Sequence, residues 1–268
     1  MAKDRREDGM DHLKDEDLDA LPGGVALSWG IVKKPRRGPK GELSIKKIVD
    51  TAVSIADEDG LAAVSMSRVA QSLGFTTMSL YRYVTSKNDL LVLMQDAACE
   101  IDIPEENEGA GWREELRQYV FACMKVFREH PWFGDIPIQS VPLAPNNLLV
   151  IDWTLRIMKD FPINDFEKMS FVLLLSSYAR AAGMIERDMQ QALKEGDTLE
   201  AFSGLSYTAA LKKLVTKERF PFLFPVLMSG AYTGETESPI GDDLAFGLEI
   251  ILDGIEQYIE TRRGMPQA

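Results

Sequence analysis

Apolar residues recur at the helical period along most of this chain, and nowhere do they alternate with period two. Ile45, Ile48, Val49, Ala52, Ile55 and Ala56 fall at i, i+3, i+4, i+7, i+10 and i+11, which places them on one face of a helix. With Ser44 as N-cap and Gly60 as stop, that helix spans 45–59. Two shorter runs follow, one from Ser65 through Arg68, Val69, Ala70 and Leu73 to Gly74, the other from Thr76 or Thr77 through Leu80, Tyr81 and Val84. Each is under three turns, too short to be stable alone in water, so both must be held by packing. Ser86 and Asp89 have the spacing of a capping box and open a helix over 88–102, with Leu90, Leu91, Leu93, Met94 and Ala97 on its apolar side. Beyond a break at 103–111 (IPEENEGAG), helices are expected near 111–129, 146–160, 165–194, 206–216 and 241–262, with a short one after Pro131. The loops are rich in Pro, or in Gly, Thr and Ser as at 229–241, and no run alternates between hairpin turns. The fold class is therefore all-α.

Length and composition bound the rest. With 268 residues at 45% hydrophobic, there is enough apolar material for one large domain or two modest ones, and wholesale disorder is excluded. No apolar run, that at 171–175 included, comes near the roughly 20 residues of a membrane-spanning helix. Alternating charges at residues 3–8 and only two cysteines, Cys99 and Cys123, fit a chain in a reducing cytoplasm. A formal net charge of −12 argues, taken alone, against nucleic acid as a partner. Its distribution argues otherwise: residues 33–87 carry ten basic and five acidic side chains, while residues 1–32 and 88–268 are net acidic. The first 43 residues read as an extended, mobile arm, basic and rich in Pro and Gly at 33–41 (KKPRRGPKG), and within it Val25 to Trp29 form an apolar cluster that either docks on the folded body or makes a functional contact.

Residues 65–84 carry the function. Ala70 precedes Gly74 by four positions, Val69 and Leu73 face inward, and Leu80 and Val84 do so on the next helix. A small residue permits a close helix crossing and a glycine takes the positive φ of a tight turn, the arrangement of a helix-turn-helix. The second helix presents Thr76, Thr77, Ser79, Tyr81, Arg82 and Tyr83, hydroxyls and a guanidinium without an acid, suited to base edges and phosphates. Lys46, Lys47 and Lys87 sit in the first turns of their helices, where the macrodipole disfavours cations unless a phosphate binds there.

Residues 43–91 (LSIKKIVDTAVSIADEDGLAAVSMSRVAQSLGFTTMSLYRYVTSKNDLL) resemble the N-terminal DNA-binding domain of the TetR family of transcriptional repressors, most specifically through GFTTMSLYRYVTSKNDLL. Trp112, the stretch 178–188 and LAFGLEIILDGIEQYI at 244–259 resemble the C-terminal half of its tetracycline-repressor subgroup. The resemblance implies a three-helix DNA-binding domain at 44–90, a helical ligand-binding and dimerisation domain at 91–262, an extension at 1–43 and a tail at 263–268. It also implies a homodimer formed through helices near 165–188 and 241–262, which binds a palindromic double-stranded operator and is released by a small molecule. By position, Tyr81 and Lys87 would contact phosphates, Thr77 and Ser79 would face base pairs, and Ser67 and Arg68 would present from the preceding helix. Ser67 and Thr77 stand where the tetracycline repressor has a base-reading arginine and a glutamine, which implies a different operator.

Trp112, Phe127, Trp132, Trp153 and Tyr178 either line an apolar ligand site or form plain core. Arg180 either binds a ligand carboxylate or pairs with an acid of the core or of a second protomer. Glu186 aligns with a glutamate near the drug site of the tetracycline repressors. The only histidines are His12 and His130, and none falls near 134–136, where those repressors place a metal-binding imidazole. The expectation is a largely apolar inducer, not tetracycline, with no metal and no cofactor. With no paired carboxylates, no Gly-rich phosphate loop and no base beside a nucleophile, an enzyme is not expected. Two alternatives stay open: an activator of the same fold, and a helical ligand-binding protein without a specific operator.

Overall fold

A computed structural model describes residues 21–31, 43–106, 109, 111–137, 142–194, 205–236, 239–240 and 242–264. Among them are eleven α-helices and no strand: α1 (Gly23–Ser28), α2 (Ile45–Asp59), α3 (Met66–Leu73), α4 (Thr77–Leu80), α5 (Lys87–Ala98), α6 (Trp112–Glu129), α7 (Pro145–Ile157), α8 (Asp165–Lys194), α9 (Leu205–Leu214), α10 (Leu223–Met228) and α11 (Asp243–Arg263). Short 3-10 turns occupy Leu61–Ala63 and Pro131–Asp135. The basic arm at 33–41 and the tail beyond Gly264 lie outside the described residues. By packing, the chain forms two compact units, residues 1–108 with 129–156, and residues 109–128 with 157–268.

In the first unit, α2 buries the stripe read from the sequence: Ile48, Val49, Ala52, Ile55 and Ala56 face α3 and α5. Ser44 caps α2 by accepting from the Lys47 amide at 3.2 Å, and Gly60 ends it at φ 80°. The segment 129–156 packs here too, although α6 stands between it and the other helices in sequence. Asp96 of α5 is buried, and its Oδ1 accepts from the Asn146 amide at 2.8 Å while Asn146 Nδ2 donates to the Asp96 carbonyl at 2.9 Å. A carboxylate thereby caps the first turn of α7 from another helix, where the macrodipole favours negative charge. A second carboxylate, Asp57 of α2, takes the Trp132 indole N–H at 2.6 Å and lies 2.9 Å from His130 Nδ1.

The apolar cluster near the N-terminus docks on the body. It forms α1, which packs against α5 so closely that a Cβ on Gly24 would lie 2.8 Å from the Asp89 Cα. The Trp29 indole donates to the Leu143 carbonyl at 2.9 Å. Extended structure was expected here, but six residues turn into a helix because their apolar side has a surface to bury against. The short α10 was not foreseen either, since Pro221 and Pro225 read as loop; Pro225 stands in its first turn, where the missing N–H costs no helix bond.

The second unit buries Leu116, Tyr119, Val120, Met124 and Phe127 of α6, Val172, Leu175, Ala179 and Ala182 of α8, and Leu248, Leu252, Ile255 and Ile259 of α11. Arg113 and Arg117 of α6 grip α11: Arg113 pairs with Glu256 at 2.7 Å and with Asp253, and Arg117 donates to Glu249. Burial pushes the Cys123 thiol up to about 12.

Hydrogen bonding from Arg117 holds the Glu249 carboxyl below the usual carboxylate range. The pair's contribution is thus complete above the unfolded-state value of about 4.3 and is lost as pH falls through the lowered folded-state value. Replacing Arg117 with Ala should cost about 1 kcal/mol, or about 2 °C in thermal midpoint at pH 7. That difference should vanish near pH 2, as measured by paired thermal melts across pH.

Candidate nucleic-acid interface

Three short-range constraints build the helix-turn-helix. Gly74 ends α3 in the left-handed region at φ 76°, and Phe75 N donates back to the Ala70 carbonyl at 2.9 Å. Ala70 is buried at the crossing, as its small size suggested. Leu80 and Val84 are completely buried and fix the following segment. The recognition element is shorter than the sequence suggested: only Thr77–Leu80 is α-helical, and 81–83 continue as turn.

Side-chain oxygens cap each helix in the same way. Ser65 accepts from the Arg68 amide at 3.2 Å, and Thr76 Oγ1 from the Ser79 amide at 3.3 Å. The N-cap half of the expected capping box is present: Ser86 Oγ accepts from the Asp89 amide at 3.0 Å, while Asp89 Oδ2 takes the Ser86 hydroxyl at 2.7 Å and Thr85 Oγ1 at 2.6 Å. Caps of this kind are each worth about 1 kcal/mol, a large share of what holds a helix as short as α4.

All eleven residues expected to meet DNA lie in the first unit. Lys46, Lys47, Ser67, Arg68, Thr76, Tyr81, Arg82 and Lys87 are exposed, and Thr77, Ser79 and Tyr83 partly so. The structure adds partners that spacing could not reveal. Lys46 Nζ sits 3.0 Å from Asp50 one turn on, and Arg68 pairs with Asp59 from the end of α2. Both are exposed pairs, of the sort worth at most about 1 kcal/mol, so exchanging a carboxylate for a phosphate costs little. The Thr76 and Ser79 hydroxyls lie 2.9 Å apart and hydrogen-bond to each other. Asp50, Asp57, Glu58 and Glu100 line a depression elsewhere on this unit, a surface that repels phosphate.

The seven residues expected near a ligand divide between the units. In the first unit, Trp132 and Trp153 are almost fully buried, and the Trp132 indole is committed to Asp57. The other five belong to the second unit. Trp112 meets Phe161 edge-on at 5.4 Å. Phe127 is buried under the Arg180 guanidinium, 5.8 Å from its ring centroid, and beside Gly183, where a Cβ would lie 2.8 Å from the ring. Glu186 lies 3.5 Å from Arg128 of α6. The Tyr178 hydroxyl donates to the Leu244 carbonyl and faces Gly247, where a Cβ would collide with it. Burial raises the Tyr178 pKa above the ordinary tyrosine range, with the negative charge of Asp242 adding to the shift. Among the described residues no group of three or more His, Cys, Asp or Glu could hold a metal ion, and no helix is long and apolar enough to cross a membrane.

Known proteins share this arrangement. Residues 48–94 match the family model described as "Bacterial regulatory proteins, tetR family", and residues 103–259 match "Tetracyclin repressor-like, C-terminal domain". The HTH-type transcriptional repressor DrrR1 of Streptomyces coeruleorubidus is 32% identical over 244 residues, 90% of this chain and 87% of that one. An HTH-type transcriptional regulator of Saccharopolyspora erythraea is 34% identical over 132 residues, 49% of this chain and 53% of its own length. The crystal structure of apo ActR from Streptomyces coelicolor superposes with a TM-score of 0.66 at 28% identity, covering 83% of this chain and 99% of that one. With a helix-turn-helix built on Gly74 and family matches over both halves, the chain belongs to the TetR family of bacterial transcriptional regulators.

Proposed function

We propose that this protein is a repressor that binds a palindromic operator as a homodimer and is released by a largely apolar small molecule. The observation that carries the reading is α4 and the turn after it: a short segment locked from behind by Leu80 and Val84, with only hydroxyl, guanidinium and apolar side chains on its outer side. DrrR1, similar over most of the chain, is named a repressor. ActR is known in complexes with (S)-DNPA and with actinorhodin, which supports a small-molecule effector for this chain. Selection of an operator from random DNA, followed by gel-shift titration, tests the reading. Specific binding should exceed non-specific binding by at least roughly a thousandfold, and failure to enrich any sequence would favour a ligand-binding protein without an operator.

Arg68 would exchange Asp59 for a phosphate on binding. Asp59→Asn should then raise affinity for all sequences and steepen the salt dependence by up to about one in slope. An unchanged slope would remove Arg68 from the interface.

The homodimer reading rests on two exposed faces of the second unit. Phe166, Met169, Leu173, Ser177, Ala181 and Ile185 form a charge-free exposed face on α8, and Phe246, Ile250 and Tyr258 lie at four-residue intervals, with Gly254 among them, on α11. Two-fold pairing of such faces supplies the symmetry that a palindrome demands. Leu173→Glu, 68% exposed in the protomer, should leave the fold intact and shift the mass measured by light scattering from dimer to monomer. It should also abolish high-affinity operator binding.

A further inference from the structure

We propose that Met78 is a base-reading residue whose side chain recognises the 5-methyl group of a thymine in the major groove; the assignment rests on the operator-binding reading above. Met78 is 72% exposed, more than any other large apolar side chain among the described residues of the first unit. It stands second in α4, between Thr77 and Ser79. Its neighbours narrow what α4 can use to discriminate bases. Leu80 is completely buried, and the Thr76 and Ser79 hydroxyls are joined to each other while Thr76 also caps the Ser79 amide. Turning the Thr76 hydroxyl toward a base would undo the cap of a helix that has no turn to spare, and turning the Ser79 hydroxyl would break its bond to Thr76. Among the helical residues, the groups left projecting from α4 without such a commitment are the Thr77 side chain and the Met78 thioether.

An apolar side chain at this place has few matches in DNA. Phosphates, sugars and most base edges present hydrogen-bonding atoms, whereas the thymine methyl is the apolar feature of the major groove. Methionine suits it physically, since an unbranched, polarisable chain with three rotatable bonds can settle against a methyl without the backbone moving. The contact would distinguish T·A from C·G at one position of each half-site, a distinction that the hydroxyl of Thr77 does not supply.

The test uses the full-length protein and its selected operator, in which each thymine is replaced in turn by deoxyuridine, removing the methyl alone. One position per half-site should lose about three- to tenfold in affinity, the range expected for one buried methyl. Met78→Ala should bind the thymine and deoxyuridine operators equally at that position, and Met78→Leu should keep most of the preference. Methyl loss without effect at every thymine, or an effect that persists undiminished in Met78→Ala, would overturn the assignment. Failure to select any operator would instead overturn the regulator reading itself, and this assignment with it.

Discussion

The surface that distinguishes this protein is held from behind. α4 has four residues, far fewer than a helix needs to persist in water, and its orientation is fixed by Leu80 and Val84 sunk completely into the first unit. α4 packs on α3, and α3 on α2, so the geometry of Thr77 and its neighbours is set by the buried residues behind it. Gly74 and Ala70 fix the crossing of the two short helices, and side-chain caps close their ends. A substitution in that buried set would change reading without touching a reading residue.

Three of the contacts that hold residues 129–156 in the same unit share a pattern. Asp57 receives Trp132, Asp96 caps α7, and Trp29 reaches the carbonyl of Leu143. These links are side chain to side chain or side chain to backbone, and two use a carboxylate against a polar group in a partly or wholly buried place.

Most of this fold was legible in the sequence, for reasons that differ by element. The 3.6-residue period gave α2 its bounds, because Ile48, Val49, Ala52, Ile55 and Ala56 are buried on one face, and Ser86 with Asp89 announced the start of α5 through a local hydrogen-bond pattern. Contacts between distant segments were not legible. Nothing in the spacing of Asp57, Asp96 or Asp59 marks them as partners of Trp132, Asn146 and Arg68, since an acid on a helix reads as solvated until another element arrives beside it. α1 was hidden for a related reason: six residues have no helical period to display, and only the surface of α5 makes them a helix. The outward residues of α3 and α4 were legible because their inward neighbours were.

Cys123 gives the regulator a chemical temperament. Burial pushes the thiol up to about 12, which disfavours the thiolate, the form that oxidants and electrophiles attack. A protein whose output is gene expression must respond to few stimuli and ignore many, and desolvation makes this sulfur of α6 a poorer nucleophile than an ordinary cysteine.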